Sequence, residues 1–247
     1  MLTASALTPR LRIAAPRQVP AVSRATYSFA VLLRITYASG TFQCGGSLVA
    51  PAVVLTAAHC LAGDPEPVSG ANTSVQSVLA LLGWVDTSRW NGTSVPANEP
   101  LAEAIFASGW EWHAGYTPGG GAAGTALNAH DVALVYLSRA SAHGTPVALD
   151  FPPGVAPGSG SVLALGWGLT RALRPDDAIT GTVATKLQRV RLPVAPAASC
   201  DAQAFANANA YDDSRQTCTA TTGGVDTCYV RVRCARLACR VWMFARG

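Results

Sequence analysis

The chain has 247 residues, 49% hydrophobic and 13% charged, a length that buries a sizeable core in one large domain or two small ones sharing a cleft. Its formal net charge of +4 is local: residues 230 to 247 hold five arginines and no acid, and elsewhere 13 basic side chains face 14 acidic ones. A near-neutral body excludes a general nucleic-acid or membrane footprint, and the best apolar run, Ser77 to Val85, is far too short to span a bilayer.

Sixteen prolines and 23 glycines separate short apolar runs, the pattern of an all-β protein with many turns. Residues 1 to 26 are rich in Pro, Ala and Arg and are expected to lie outside the core. Their opening is a poor export signal, because the arginines follow the apolar residues instead of preceding them. Tyr27 to Tyr37 reads as a strand, and the turn Ala38 to Gly40 leads into the segment Thr41 to Ala50. Ala52 to Ala57 and Ser77 to Val85 are further strands. The stretch from Asp86 to Ala129, with its Gly, Asn, Thr and Pro, reads mostly as loop. Asp131 to Leu137, Val162 to Gly168 and Thr185 to Val194 read as strands, and Pro196 to Ala208 carries a helical pattern. Closely spaced strands with turn signals favour a sandwich or a barrel. The run Gly119 to Gly124 fits the spacing of a dinucleotide loop, but no strand precedes it, so it reads as an insertion.

Seven cysteines leave at least one thiol without an intrachain partner. Glycosylation sequons at Asn72 and Asn91, beside paired cysteines, point to a secreted or luminal protein. No metal or organic cofactor is implied, because no ligand cluster has suitable spacing.

The chemistry concentrates in "CGGSLVAPAVVLTAAHC", Cys44 to Cys60. Two strands can bring their ends together there, with His59 on a short turn. A lone histidine beside a bridge is usually structural; an imidazole acting as a general base needs such fixing, because proton transfer demands hydrogen-bond reach. Asp131, in "NAHDVALVYL", stands at the mouth of a strand, where a carboxylate can hold an imidazole in one tautomer. His113 and His130 read as surface residues.

The Cys44–Cys60 segment resembles the histidine motif of the trypsin/chymotrypsin family, and Asp131 lies in a segment similar to that family's aspartate motif, in the same His-then-Asp order. "ALGWGLT" at Ala164 to Thr170 resembles the family's Gly-Trp-Gly turn, and "TCTATTGGVDTC" at Thr217 to Cys228 resembles the wall of its primary specificity pocket. The resemblance runs from Tyr27 to Tyr229 and implies a trypsin-like double β-barrel. It further implies disulfides Cys44–Cys60 and Cys200–Cys218. His59 would be the general base, Asp131 its orienter, and Asp226 the anion selecting Lys or Arg. "RIAAP" at Arg12 to Pro16 resembles the activation site, so residues 1 to 26 would be propeptide-like. The implied protein is a secreted monomeric endopeptidase whose partners are polypeptide substrates or protease inhibitors, with no nucleic acid, membrane or cofactor.

The resemblance stops at Tyr229. Where the family continues Gly-Asp-Ser-Gly-Gly-Pro, this chain reads Val230, Arg231, Val232, Arg233, Cys234, Ala235. Val232 has no hydroxyl to attack a carbonyl, and Val230 replaces the glycine whose N–H serves the oxyanion. Arg231 replaces the acid that pairs with a freed N-terminal ammonium. Residues 230 to 247 therefore read as a non-homologous basic tail, solvated at its simplest, that leaves the second barrel incomplete. Two explanations stand. Either the tail is translated non-coding sequence, since every valine codon begins with the GT that opens most introns, or the chain is a non-catalytic, protein-binding homologue.

Overall fold

The computed structural model describes residues 26–63, 74–92, 94–116, 130–149, 160–168, 184–196, 198–199, 218–220 and 243–245. Strands dominate. Six of them, β1 (Ala30–Tyr37), β2 (Gly40–Ala50), β3 (Val53–Thr56), β4 (Ser77–Leu82), β5 (Glu103–Trp112) and β6 (Ala133–Leu137), close into an antiparallel barrel in the order β1-β2-β3-β6-β5-β4. Three more, β7 (Ser161–Gly166), β8 (Gln188–Pro193) and β9 (Met243–Ala245), form a second sheet in the order β8-β7-β9.

Period-two alternation fills the barrel. Val31, Leu33 and Ile35 of β1 and Val78, Ala80 and Leu82 of β4 point inward with Leu48, Val54, Ile105 and Val135. The N-terminal half of β1 is buried on both faces, because Ala30 and Leu32 pack outward with Leu81, Trp84, Leu163, Leu165, Trp167 and Leu187. This second cluster joins the barrel to the second sheet. Each large side chain so buried contributes about 1.5–3 kcal/mol relative to exposure.

Gly83, just after β4, has φ +69, and a Cβ there would lie 2.2 Å from the carbonyl oxygen of Leu101. Gly83→Ala therefore meets both a left-handed backbone and a backbone clash, and is expected to cost about 2–4 kcal/mol, read as a lowered urea midpoint at unchanged slope. A loss under about 0.5 kcal/mol would contradict this packing.

Two strands depart from the sequence reading. β5 falls inside the stretch expected to be loop. Its alternation is obscured by Glu103 at a buried position and by a bulge between Ala107 and Gly109. β9 falls in the basic tail and pairs with β7 from Leu163↔Ala245 to Leu165↔Met243. The apolar run Val241 to Ala245, set between arginines, supplies a segment suited to an open sheet edge. Of the expected helix, Ala198 and Ser199 are helical and the remainder lies outside the described residues.

Candidate active site

Strand register brings together two residues 72 positions apart. β3 and β6 pair antiparallel, and their last partners at one end of the barrel are Thr56 and Ala133. The chain leaves β3 there and enters β6 there, so the residues just beyond those ends share one rim. His59 follows Thr56 on the single-turn 3-10 helix Ala58–Cys60, and Asp131 precedes Ala133.

The two side chains meet. The Asp131 carboxylate accepts the His59 backbone N–H at 2.8 Å through Oδ1 and faces His59 Nδ1 at 2.7 Å through Oδ2. An ionised carboxylate only accepts, so the pairing assigns the ring proton to Nδ1 and leaves Nε2 with its lone pair turned away. The Asp131 side chain is 7% exposed, whereas that of His59 is 21% exposed. The acid is thus shielded and the imidazole edge remains reachable, the arrangement an oriented proton acceptor requires.

Several contacts hold the histidine turn. Cys60 is disulfide-bonded to Cys44 of β2. The buried Tyr37 hydroxyl donates to the Cys60 carbonyl at 2.7 Å, and Thr56 Oγ1 donates to the Gly45 carbonyl at 2.8 Å. Cys60 Sγ also lies 3.5 Å from His59 Nε2. A disulfide sulfur carries no hydrogen, so this contact is a hydrogen bond only when Nε2 is protonated.

The aspartate turn has support that the sequence reading missed. His130, immediately before Asp131, takes φ +61, which an L-residue other than Asn, Asp or His seldom adopts. Its carbonyl accepts the Val132 N–H at 2.7 Å, and the Val132 carbonyl accepts the His113 N–H at 2.9 Å. The His113 and His130 rings stack at 4.4 Å with an interplanar angle of 6°. His113 is exposed and His130 half-buried, yet together they brace Asp131 from the end of β5. A Cβ on Gly115 would come within 2.9 Å of the His130 ring, so a glycine permits the stack. The signal in the sequence was the pair of histidines flanking a glycine-rich insertion.

Cys218 is disulfide-bonded, and Cys200, its partner by resemblance, lies outside the described residues. Asp226 and Val232 lie outside them as well. Among the described residues no helix is long and apolar enough to cross a membrane.

The chain that folds into this six-stranded barrel, with a histidine–aspartate pair on its rim, matches in sequence the family model described as Trypsin over residues 19–229. The chain belongs to the trypsin family of serine proteases. The match ends one residue before the sequence departs at Val230. Among curated relatives, phenoloxidase-activating factor 3 of Holotrichia diomphalia is 27% identical over 82% of this chain and 54% of its own length. Serine protease 7 of Drosophila melanogaster is 31% identical over 75% of this chain and 44% of its own. The chain therefore spans about half the length of the curated relatives it matches. Solved structures share the fold: one described as GrC, at TM-score 0.61 and 19% identity, covers 86% of this chain and 79% of its own. The HL collagenase structure, at TM-score 0.60 and 17% identity, covers 92% and 79% respectively.

Proposed function

We propose that this chain is a trypsin-like serine endopeptidase module that carries the base and orienter of peptide-bond hydrolysis but not the nucleophile. The observation that carries the reading is the 2.7 Å contact of Asp131 Oδ2 with His59 Nδ1 on one barrel rim. In the reaction of the family, His59 Nε2 takes the proton of an attacking hydroxyl and returns it to the leaving amine, while Asp131 holds the ring and stabilises the imidazolium. Asp226, by its place in the motif, would face a Lys or Arg side chain, since an uncharged side chain leaves a buried acid unpaired. Relatives named for activating phenoloxidase support polypeptide substrates. Cys44–Cys60 and an exposed Asn91 sequon support a secreted protein.

Val232 stands where the serine belongs, so no acyl-enzyme forms. Incubation with a fluorophosphonate probe is expected to leave the chain unlabelled, and stoichiometric labelling at one residue would refute this. The second reading is a non-catalytic module that captures proteins or protease inhibitors, favoured by the substitution of Val230, Arg231 and Val232 together. Transcript sequencing across the Tyr229 codon separates the two. A spliced form continuing into Gly-Asp-Ser-Gly-Gly supports the enzyme. The present form alone, yielding a monomer that binds such a partner, supports the module.

A further inference from the structure

β7 is buried from Val162 to Gly166. Leu163 and Leu165 belong to the cluster shared with Ala30, Leu32 and Leu81 of the barrel, and Val162 and Ala164 pack with Leu192 of β8. A strand covered on both faces has no water for its backbone, so both of its hydrogen-bonding edges need partners. β8 serves one edge over all six residues, from Ser161↔Pro193 to Gly166↔Gln188. Among the described residues, β9 serves the other, and β9 lies beyond residue 229, where the family match ends. We propose that this second edge of β7 is a docking site for an extended peptide strand, and that the tail occupies it in cis as a displaceable plug.

The seated segment defines the ligand. Its pairing is antiparallel, from Leu163↔Ala245 to Leu165↔Met243, so a ligand runs opposite to β7. Affinity in this mode comes from main-chain hydrogen bonds, which any extended segment without proline can supply. The occupant is the apolar sequence Met243-Phe244-Ala245, and a ligand of the same apolar, strand-forming character fits the same edge. Ser161, Val162 and Gly166 lie outside the β7–β9 register, although β8 pairs with all three on its side. A peptide that pairs along the whole of β7 therefore gains backbone hydrogen bonds that the plug does not make.

The plug has one advantage over such a peptide, its tether. Residues 221 to 242 join Ala220 to Met243. A flexible connection of that kind holds a strand at an effective concentration on the order of millimolar. A free peptide of equal pairing competes poorly against it, whereas a longer strand displaces it. The three residue pairs of β9 make this a weak lock on a strand that needs a partner. The site uses neither His59 nor Asp131, so its failure would leave the reading of the rim untouched.

The probe is a synthetic peptide with the sequence of residues 240 to 247, RVWMFARG, labelled with a fluorophore at its N-terminus. It is titrated into the full chain and into the full-length Phe244→Pro/Ala245→Pro variant. Adjacent strand residues turn their N–H groups to opposite edges, so one of the two prolines removes a donor to β7 whichever pairing phase holds. The variant is expected to bind the peptide at least about tenfold more tightly than the unmutated chain, because its edge is vacated. Equal affinity for the two chains overturns the proposal, as does no binding to the variant at about millimolar peptide. In the unmutated chain, NMR is expected to show cross-strand backbone contacts between Ala164 and Phe244 of the same copy. Their absence, or their appearance only between differently labelled copies, overturns the plug in cis. That measurement needs no variant and keeps the test decisive if the proline chain fails to fold.

Discussion

The Glu103→Ala chain is expected to lose about 3–5 kcal/mol of unfolding free energy at neutral pH, enough to remove a large share of a typical domain's stability. Glu103 opens β5 with its side chain 5% exposed and gathers the segment that follows β6. Its carboxylate accepts from Arg139 Nη1 at 2.7 Å, from Ser141 Oγ, from the Ala142 N–H at 3.1 Å and from the His143 N–H at 3.2 Å. Alanine leaves the backbone N–H groups of Ala142 and His143 without that acceptor and empties the space the buried carboxylate filled. Burial by itself pushes the Glu103 carboxyl up, but the hydrogen bonds from Ser141, Arg139, Ala142 and His143 outweigh it and hold the group below its ordinary value of 4.5. A carboxyl with a lowered folded value stabilises fully above the unfolded value, and that contribution fades as pH falls through the folded one. The gap in urea midpoint between wild type and Glu103→Gln should therefore be widest near neutral pH and narrow as pH drops from about 5 toward 3. A gap independent of pH would show that the carboxylate charge contributes nothing.

The second large effect is on the chemistry of the rim. Asp131→Asn keeps the shape of the pair but exchanges an acceptor for a donor. Asparagine can present its oxygen to the His59 backbone N–H and its amide N–H to Nδ1. The neutral ring then carries its proton on Nε2, and the lone pair that would receive a hydroxyl proton is gone. The expected result is inversion of the His59 tautomer, from Nδ1–H to Nε2–H, visible in ring-nitrogen chemical shifts. Loss of the charged hydrogen bonds should cost about 1–3 kcal/mol of stability. An unchanged tautomer would mean that Asp131 does not set the ring, and the catalytic reading of the pair would fall with it.

The sequence carried the barrel where short apolar runs stood between turn residues. Val31, Leu33 and Ile35 announce β1, and Val78, Ala80 and Leu82 announce β4, because each inward position is apolar and each strand is uninterrupted. β5 was illegible because its first inward residue is an acid satisfied only by a distant loop, and because its bulge breaks the period halfway. β9 was illegible for a different reason: three residues of strand draw their meaning from the β7 edge, not from themselves. His59 and Asp131 could be named from their motifs, but their meeting depends on the β3–β6 register. The stacked His113 and His130 left one trace, two histidines flanking the glycine-rich insertion, but the stack itself goes with a left-handed backbone at His130 that no local pattern dictates.

The β3–β6 ladder also fixes when the rim is born. Val53 pairs with Tyr136, so this seam closes a long excursion of chain and is among the slower contacts to form, after the local β1–β2 hairpin. Every strand of the barrel nevertheless lies between Ala30 and Leu137. During synthesis the whole ring can close before the segment from Ser161 onward has emerged to pair, and the imidazole–carboxylate contact then arises in a nascent chain that has no second sheet. Its appearance would time the ring-closing step of folding.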